Sequence, residues 1–375
     1  MNPMRSNRLE QVCEQLKAQK MDCLALMPGF NMQYLTGLDF SLFERAFILF
    51  IPADVAQEPV LVIPELEAAN WRHESPMQAR LLPWSDKTGP EDAMRQAASM
   101  LKGVETLGVE YLRMRVMERE LIGRFLPGVR VVRGEPVINP MRLHKDAAEI
   151  ACHRKAAQIC ESALAEVLST FLPGTETERQ ICSRLTGAIL NRGGEITPVE
   201  PLVLSGANSA SPHGRSGERR VGRGDILLFD FVTTADGYYA DITRTFFVGD
   251  PPHEKMRAVY SAVKAANEAG RAAVRPDIAC QEVDRAARQV LTDAGLGPHF
   301  IHRTGHGLGL DVHEEPGIVE GNEMRLEEGM VFTIEPGAYL EGWGGIRIED
   351  DVVVTRDGCE SLTTFNRELQ VVGSI

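Results

Sequence analysis

The sequence predicts an α+β protein in two parts, a smaller α/β domain followed by a larger one in which helices gather around antiparallel strands. Three observations carry this. The first 140 residues alternate between helical and strand-like periodicity, INPMRLHKDAAE reads as a hinge, and long helical patterns then frame glycine-punctuated strands. The expected domains are 1–140 and 141–375.

RSNRLEQVCEQLKAQKM reads as an amphipathic helix with Leu9, Val12, Cys13 and Leu16 on one face, and DCLALM as a buried strand. After NMQYLTG come two strand-like runs, RAFILFIP and EPVLVIP, each closed by a proline. EDAMRQAASMLKG and RVMERELIGRFL have helical spacing; TLGVEY and VRVVRG read as strands of the same mixed sheet. Pro140 is expected to stop the segment before the hinge, and a long helix to run from near Asp146 to about Leu172. The next helix is expected to open on a capping box, Thr175-x-x-Glu178, and to close on Gly193 and Gly194. Two further helices are expected over roughly 252–274 and 279–295.

Composition narrows the class. Acidic residues outnumber basic ones 53 to 40, for a net charge of −13, which argues against nonspecific nucleic-acid binding. The seven cysteines form no CxxC pair and are odd in number, as in a reduced cytoplasmic protein. MNPMRSNRLEQ has no signal-like apolar core, and the longest apolar run, AFILFIPADV, is broken by Pro52 and Asp54, so no membrane association is expected.

Asp230, Asp241, His306, Glu335 and Glu349 form a candidate ligand set for two divalent ions, in the contexts ILLFDFV, YYADITRTF, TGHGLG, VFTIEPG and GGIRIEDD. The segment DILLFDFVTTADGYYADITRTFFV reads as a β-hairpin turning at Asp236-Gly237. With that turn, Ala235 faces Tyr238 and Asp241 faces Val232, so Asp230 and Asp241 lie diagonally on one face. Asp230 interrupts an otherwise apolar run, and a buried carboxylate requires a partner. Arg347 and Glu349 are two apart and are expected on one face of a single strand. The glycines around His306 would allow close backbone approach. An oxygen-rich set favours Mn²⁺ or Co²⁺, with Zn²⁺ or Fe²⁺ as alternatives.

In this order and spacing, the motifs resemble the pita-bread metallopeptidase family, which includes methionine aminopeptidase, aminopeptidase P and prolidase. The likeness covers about residues 146–375, and the part containing NMQYLTG resembles the creatinase-type N-terminal domain of the Xaa-Pro branch. It implies a pita-bread catalytic domain in which Asp230 chelates one metal, Asp241 and Glu349 bridge both, and His306 and Glu335 complete the other. It also implies roles for His213 in SPHGR, for His302 and His313 on either side of the metal histidine, and for Arg347 and Tyr339. The implied reaction is hydrolysis of the bond before proline. Glu335 would take the proton of water, and His313 and His213 would hold the carbonyl oxygen. Two positions depart from the family pattern. Val232 stands where D-x-G has glycine, and Gly317 stands after HEEP where some prolidases carry an arginine for the dipeptide carboxylate. Arg45 is the proposed replacement, across a homodimer. Xaa-Pro dipeptides are the expected substrates. The alternatives are an aminopeptidase P acting on longer peptides or a hydrolase of non-peptide amides.

Overall fold

The structure, a computed structural model, describes residues 7–373. Arg5 and Ser6, at the start of the first expected helix, lie outside the described residues, as does most of the stretch read for a signal peptide. The chain divides after Arg142 into two compact units.

The first unit comprises α1 (Arg8–Ala18), β1 (Cys23–Leu26), α2 (Phe30–Thr36), β2 (Ile48–Pro52), β3 (Val60–Pro64), α3 (Glu65–Glu74), β4 (Arg80–Trp84), α4 (Glu91–Met100), β5 (Thr106–Val109), α5 (Val116–Phe125), β6 (Arg130–Arg133) and α6 (Glu135–Leu143). Its sheet has the order β4-β3-β2-β1-β5-β6. β1 pairs antiparallel with β2 and parallel with β5, which is the expected mixed sheet. Alternation along the central strands sends Ala25, Phe50, Val62 and Leu107 to one core, closed by Met94, Ala97 and Ile122 of α4 and α5.

Three expectations change here. The buried face of α1 is Arg8, Val12, Cys13 and Leu16, with Leu9 only half-buried. Arg8 is tolerated because its guanidinium lies 3.8 Å from the Tyr34 ring centre and donates to the Tyr34 carbonyl. α3 escapes the sequence reading because it buries only Ala68 and Trp71, too few for a periodic stripe. α6 runs through Pro140 instead of stopping there. The missing N–H removes one backbone bond, but the wholly buried Val137 and Ile138 hold the helix down.

The second unit begins with α7 (Ala147–Ser169) and α8 (Glu178–Asn191). Asp146 caps α7, accepting from the N–H groups of Ala148 and Glu149 at 2.8 and 2.9 Å, while Glu149 reaches back to the Asp146 N–H. The cap of α8 lies two residues beyond the expected one. Thr177 and Gln180 form the box, and the Thr175 hydroxyl donates to the Leu172 carbonyl.

β7 (Leu202–Ser205), β8 (Ile226–Ala235) and β9 (Tyr238–Val248) follow, then α9 (Glu254–Ala273) and α10 (Cys280–Asp293). Short strands complete the unit: β10 (Gly305–Gly307), β11 (Glu314–Ile318), β12 (Val331–Ile334), β13 (Gly337–Leu340), β14 (Gly344–Arg347), β15 (Asp350–Thr355), β16 (Gly358–Ser361) and β17 (Val371–Val372). They form sheets β17-β9-β8-β7 and β11-β10-β12-β15-β16 and the ribbon β13-β14. Leu227, Phe229 and Phe231 of β8 and Ala240, Ile242 and Phe246 of β9 pack on α7 and α8. Alternation then turns Asp230, Val232, Asp241 and Thr243 to the opposite face, where the second sheet lies. Among the described residues no helix is long and apolar enough to cross a membrane, and all seven cysteines are free thiols.

Candidate metal centre

The turn sets the register of the hairpin. Asp236 and Gly237 both have positive φ, 53° and 81°, as a two-residue type I′ turn needs. Ala235 then pairs with Tyr238 and Val232 with Asp241, as expected. The Asp241 N–H donates to Asp351 Oδ2 at 3.0 Å, joining β9 to β15.

His306 lies in β10 between glycines. A Cβ on Gly305 would collide with the Thr333 carbonyl, so only glycine lets β10 lie this close to β12. The His306 N–H donates to the Thr333 hydroxyl at 3.1 Å, and that hydroxyl donates to Glu335 Oε1 at 3.2 Å. Nδ1 of His306 donates to the Gly307 carbonyl at 3.1 Å. Its Nε2 therefore carries the lone pair and faces Glu335 Oε1 at 3.4 Å and Asp241 Oδ2 at 3.9 Å. Burial, then His313 and Arg303, push its pKa well below the ordinary histidine value, so it is neutral.

Arg347 and Glu349 do not share one strand. β14 ends at Arg347, β15 starts at Asp350, and the chain changes sheets between them. Their side chains still meet at Thr243. Its hydroxyl accepts from Arg347 Nε at 3.0 Å and donates to Glu349 Oε2 at 2.6 Å. The Arg347 guanidinium also donates to Asp230 Oδ2 and to the Tyr339 hydroxyl. The Tyr339 hydroxyl lies 2.9 Å from His302 Nε2, whose other nitrogen faces the Arg303 carbonyl. The chain of bonds thus runs Asp230–Arg347–Tyr339–His302. Burial, with Arg347 second, brings His302 down to about 4, so its Nε2 accepts from the tyrosine.

Donor atoms of Asp241, His306 and Glu349 lie within 4.8 Å of one another, and Glu335 adjoins them through His306. Asp230 is turned toward Arg347. Burial is the largest influence on the carboxyls of Asp241, Glu335 and Glu349; repulsion from neighbouring carboxylates, Asp230 among them, adds to it, and Arg347 opposes it. Asp241 and Glu349 are raised well above the carboxylate range, and Glu335 to about 7. Asp241 Oδ1 is buried without a hydrogen-bond partner. Four carboxylates, a neutral imidazole and an orphaned buried oxygen suit divalent cations.

His313 stands edge-on to His306, with ring centres 4.3 Å apart. His213 is exposed in the loop before β8, and its charge acts on both His302 and His313. Arg45 lies in the first unit, where its Nε and Nη2 bind both oxygens of Asp86 at 2.8 Å and its Nη1 meets Glu44 at 2.7 Å. A Cβ on Gly317 would meet only Val319 Cγ1, at an ordinary contact distance of 3.7 Å. Val232 is buried and borders a cavity of about 650 Å³ bounded also by Leu202, Ile189, Ile196, Val199 and Arg215. Leu202 pairs with Asp230 across β7 and β8, so this cavity adjoins the carboxylate cluster.

Sequence reading missed the supporting groups Thr243, Thr333 and Asp351. The period of two that places Asp241 on the site face also places Thr243 there. Nothing local marks Thr333 or Asp351, which act through another strand.

The pattern of metallopeptidase family M24 matches residues 151–356, and that of the creatinase/prolidase N-terminal domain matches residues 8–144. The chain is 32% identical to the Xaa-Pro dipeptidase of Pyrococcus furiosus over 96% of its own length and 99% of that protein. Among solved structures, the prolidase of Thermococcus sibiricus superposes with a TM-score of 0.92 at 34% identity, covering 98% of each chain. Dipeptidase PepE of Mycobacterium ulcerans superposes at 0.88 with 36% identity over 98% of each chain.

Proposed function

The chain belongs to metallopeptidase family M24 and carries a creatinase/prolidase N-terminal domain; from that premise we propose that it hydrolyses the Xaa-Pro bond of dipeptides. The observation that carries this reading is the convergence of Asp241, His306 and Glu349, with Glu335 and Asp230 beside them, on one face of the hairpin. Asp230 would chelate one divalent ion, Asp241 and Glu349 bridge two, and His306 and Glu335 complete the other. Mn²⁺ suits the oxygen-rich donors best. Bound ions would supply water of lowered pKa and polarise the scissile carbonyl.

The remaining steps belong to side chains. Glu335, 3.4 Å from His306 Nε2, is placed to accept the proton of water and to return it to the leaving proline nitrogen. His313 and His213 hold the carbonyl oxygen as charge develops on it. His302 and Tyr339 fix Arg347, which holds Asp230 in place. Each nitrogen of Arg347 is already engaged, so it is not the group that receives the substrate carboxylate. We assign that role to Arg45 of a second copy in the proposed homodimer, in exchange for its exposed partners Asp86 and Glu44. The cavity beside Val232 would receive the side chain preceding proline. We place the enzyme in the cytoplasm, where its free thiols would stay reduced, and propose that it acts as a homodimer.

The test compares Ala-Pro, Ala-Pro amide and Ala-Pro-Ala with the Mn²⁺-loaded chain. The dipeptide should be cleaved best, its amide with a sharply raised KM, and Arg45→Ala should erase that difference. Equal turnover of Ala-Pro and Ala-Pro-Ala refutes the dipeptidase reading in favour of an aminopeptidase.

A further inference from the structure

We propose that the buried ion pair between Lys145 and Glu314 is a positioning device for His313, holding that imidazole beside His306 and governing the rate of bond cleavage rather than affinity for the peptide. The proposal rests on the reading of His313 as a group that meets the scissile carbonyl oxygen.

His313 has little of its own to orient it. The residue is exposed, and among the described residues its imidazole has no hydrogen-bond partner. Its position beside His306 must therefore come from the backbone that carries it, the loop between β10 and β11. The neighbouring Glu314 is anchored in the opposite manner. Its side chain is 9% exposed, that of Lys145 is 2% exposed, and Nζ and Oε1 lie 2.6 Å apart.

Both ends of this pair are fixed. The Lys145 N–H donates to the Gly329 carbonyl at 2.9 Å, and Asp146 begins the cap of α7. Glu314 stands opposite Gly307 in the β10–β11 register, and its carboxylate lies over Gly309, where an added Cβ would collide with it. The Gly309 carbonyl accepts from the Tyr239 N–H at 2.9 Å, two residues before Asp241. The pair thus clamps the loop against the strand that carries a proposed bridging ligand.

A buried ion pair adds little net stability, because desolvation offsets most of the attraction; its best-attested use is to select one arrangement among several. Removing the Glu314 charge takes the partner from a Lys145 ammonium that is 2% exposed, and removing Lys145 releases Glu314 from this contact, so the loop must move. A displacement of about an ångström at a group that meets the transition state can lower the rate about a hundredfold.

The test uses the full Mn²⁺-loaded chain with Ala-Pro and five variants: Lys145→Met, Glu314→Gln, the two combined, His313→Ala, and His313→Ala with Lys145→Met. Lys145→Met should lower kcat about tenfold or more, with KM within about twofold of the parent and metal content unchanged. The doubly neutral variant removes both buried charges of the pair, so it should regain thermal stability without regaining kcat. In the His313→Ala background, Lys145→Met should change kcat less than about twofold, because its effect acts through that ring. Recovery of kcat together with stability in the doubly neutral variant overturns the proposal, and so do losses that multiply with His313→Ala. If Lys145→Met does not fold, Glu314→Gln and the doubly neutral variant decide the matter. If the parent cleaves no Xaa-Pro dipeptide, the functional reading falls. The pair is then judged by the His313 ring resonances of the protein loaded with diamagnetic Zn²⁺. These should shift in the doubly neutral variant, and unchanged resonances overturn the proposal.

Discussion

His153 ties the stability of the catalytic unit to pH. It lies wholly buried on α7, with Nδ1 2.5 Å from the Tyr239 carbonyl and its ring edge-on to Tyr238. Its Nε2 has no partner. Burial first, and the Lys145 charge second, bring its pKa down from 6.5 to about 4. The folded chain therefore holds this histidine neutral, while the unfolded chain protonates it below 6.5. The unfolded state binds more protons between these values, so stability is fully present above pH 6.5 and is lost as pH falls toward 4. At roughly 1.4 kcal/mol per tenfold change in proton concentration, the whole window is worth about 3.4 kcal/mol, of which about 2.5 kcal/mol is lost by pH 4.5. His153→Phe should be less stable at pH 7 by about 1 kcal/mol, because the Tyr239 carbonyl loses its donor. It should also lose less on acidification. The assay is urea unfolding of both proteins at pH 7 and pH 4.5. The parent should fall by about 2 to 3 kcal/mol more than the variant. Carboxylates elsewhere titrate equally in both and cancel. Equal losses in the two proteins would refute the argument that His153 is held neutral.

Asp241→Asn and Glu349→Gln should each lose both divalent ions after reconstitution, as elemental analysis would show; full metal content in either removes it from the bridging role. Thr243→Val keeps shape but removes the hydroxyl between Arg347 and Glu349, so metal affinity measured by competition should fall about 10- to 100-fold with little change in fold. Glu110 titrates in the opposite sense to His153. Burial raises its carboxyl to about 7, although it accepts from the Met27 N–H and from Asn31. It therefore costs stability as pH rises from 4.5 to 7, and Glu110→Gln should flatten that slope in thermal unfolding at pH 5 and pH 8.

Wherever a period or a turn is complete within a few residues, the chain could be read directly. Asp236-Gly237 fixes a two-residue turn, the turn fixes the register, and a period of two puts Asp241 opposite Val232 on the face of Asp230. Five of the six strands of the first sheet, all but the partly exposed β4, and the helices from Asp146 to Asp293 were legible for the same reason. Local signals misled where a competing partner lay elsewhere in the chain. Thr175 offered a capping box, but Thr177 took it, bridging to Arg220 in the loop before β8. Pro140 signalled a stop, but buried Val137 and Ile138 carried α6 through it. IRIED looked like one strand, yet its two halves pair with β13 and β12 in different sheets. The sequence by itself determined which residues could be ligands and which hairpin face two of them occupy, because those depend on short-range geometry. Only the tertiary structure decided that Thr243 joins Arg347 to Glu349, that Thr333 joins His306 to Glu335, and that Lys145 meets Glu314 across 169 residues. Those contacts arise from buried charges and hydroxyls seeking partners on other strands, and no local pattern encodes them.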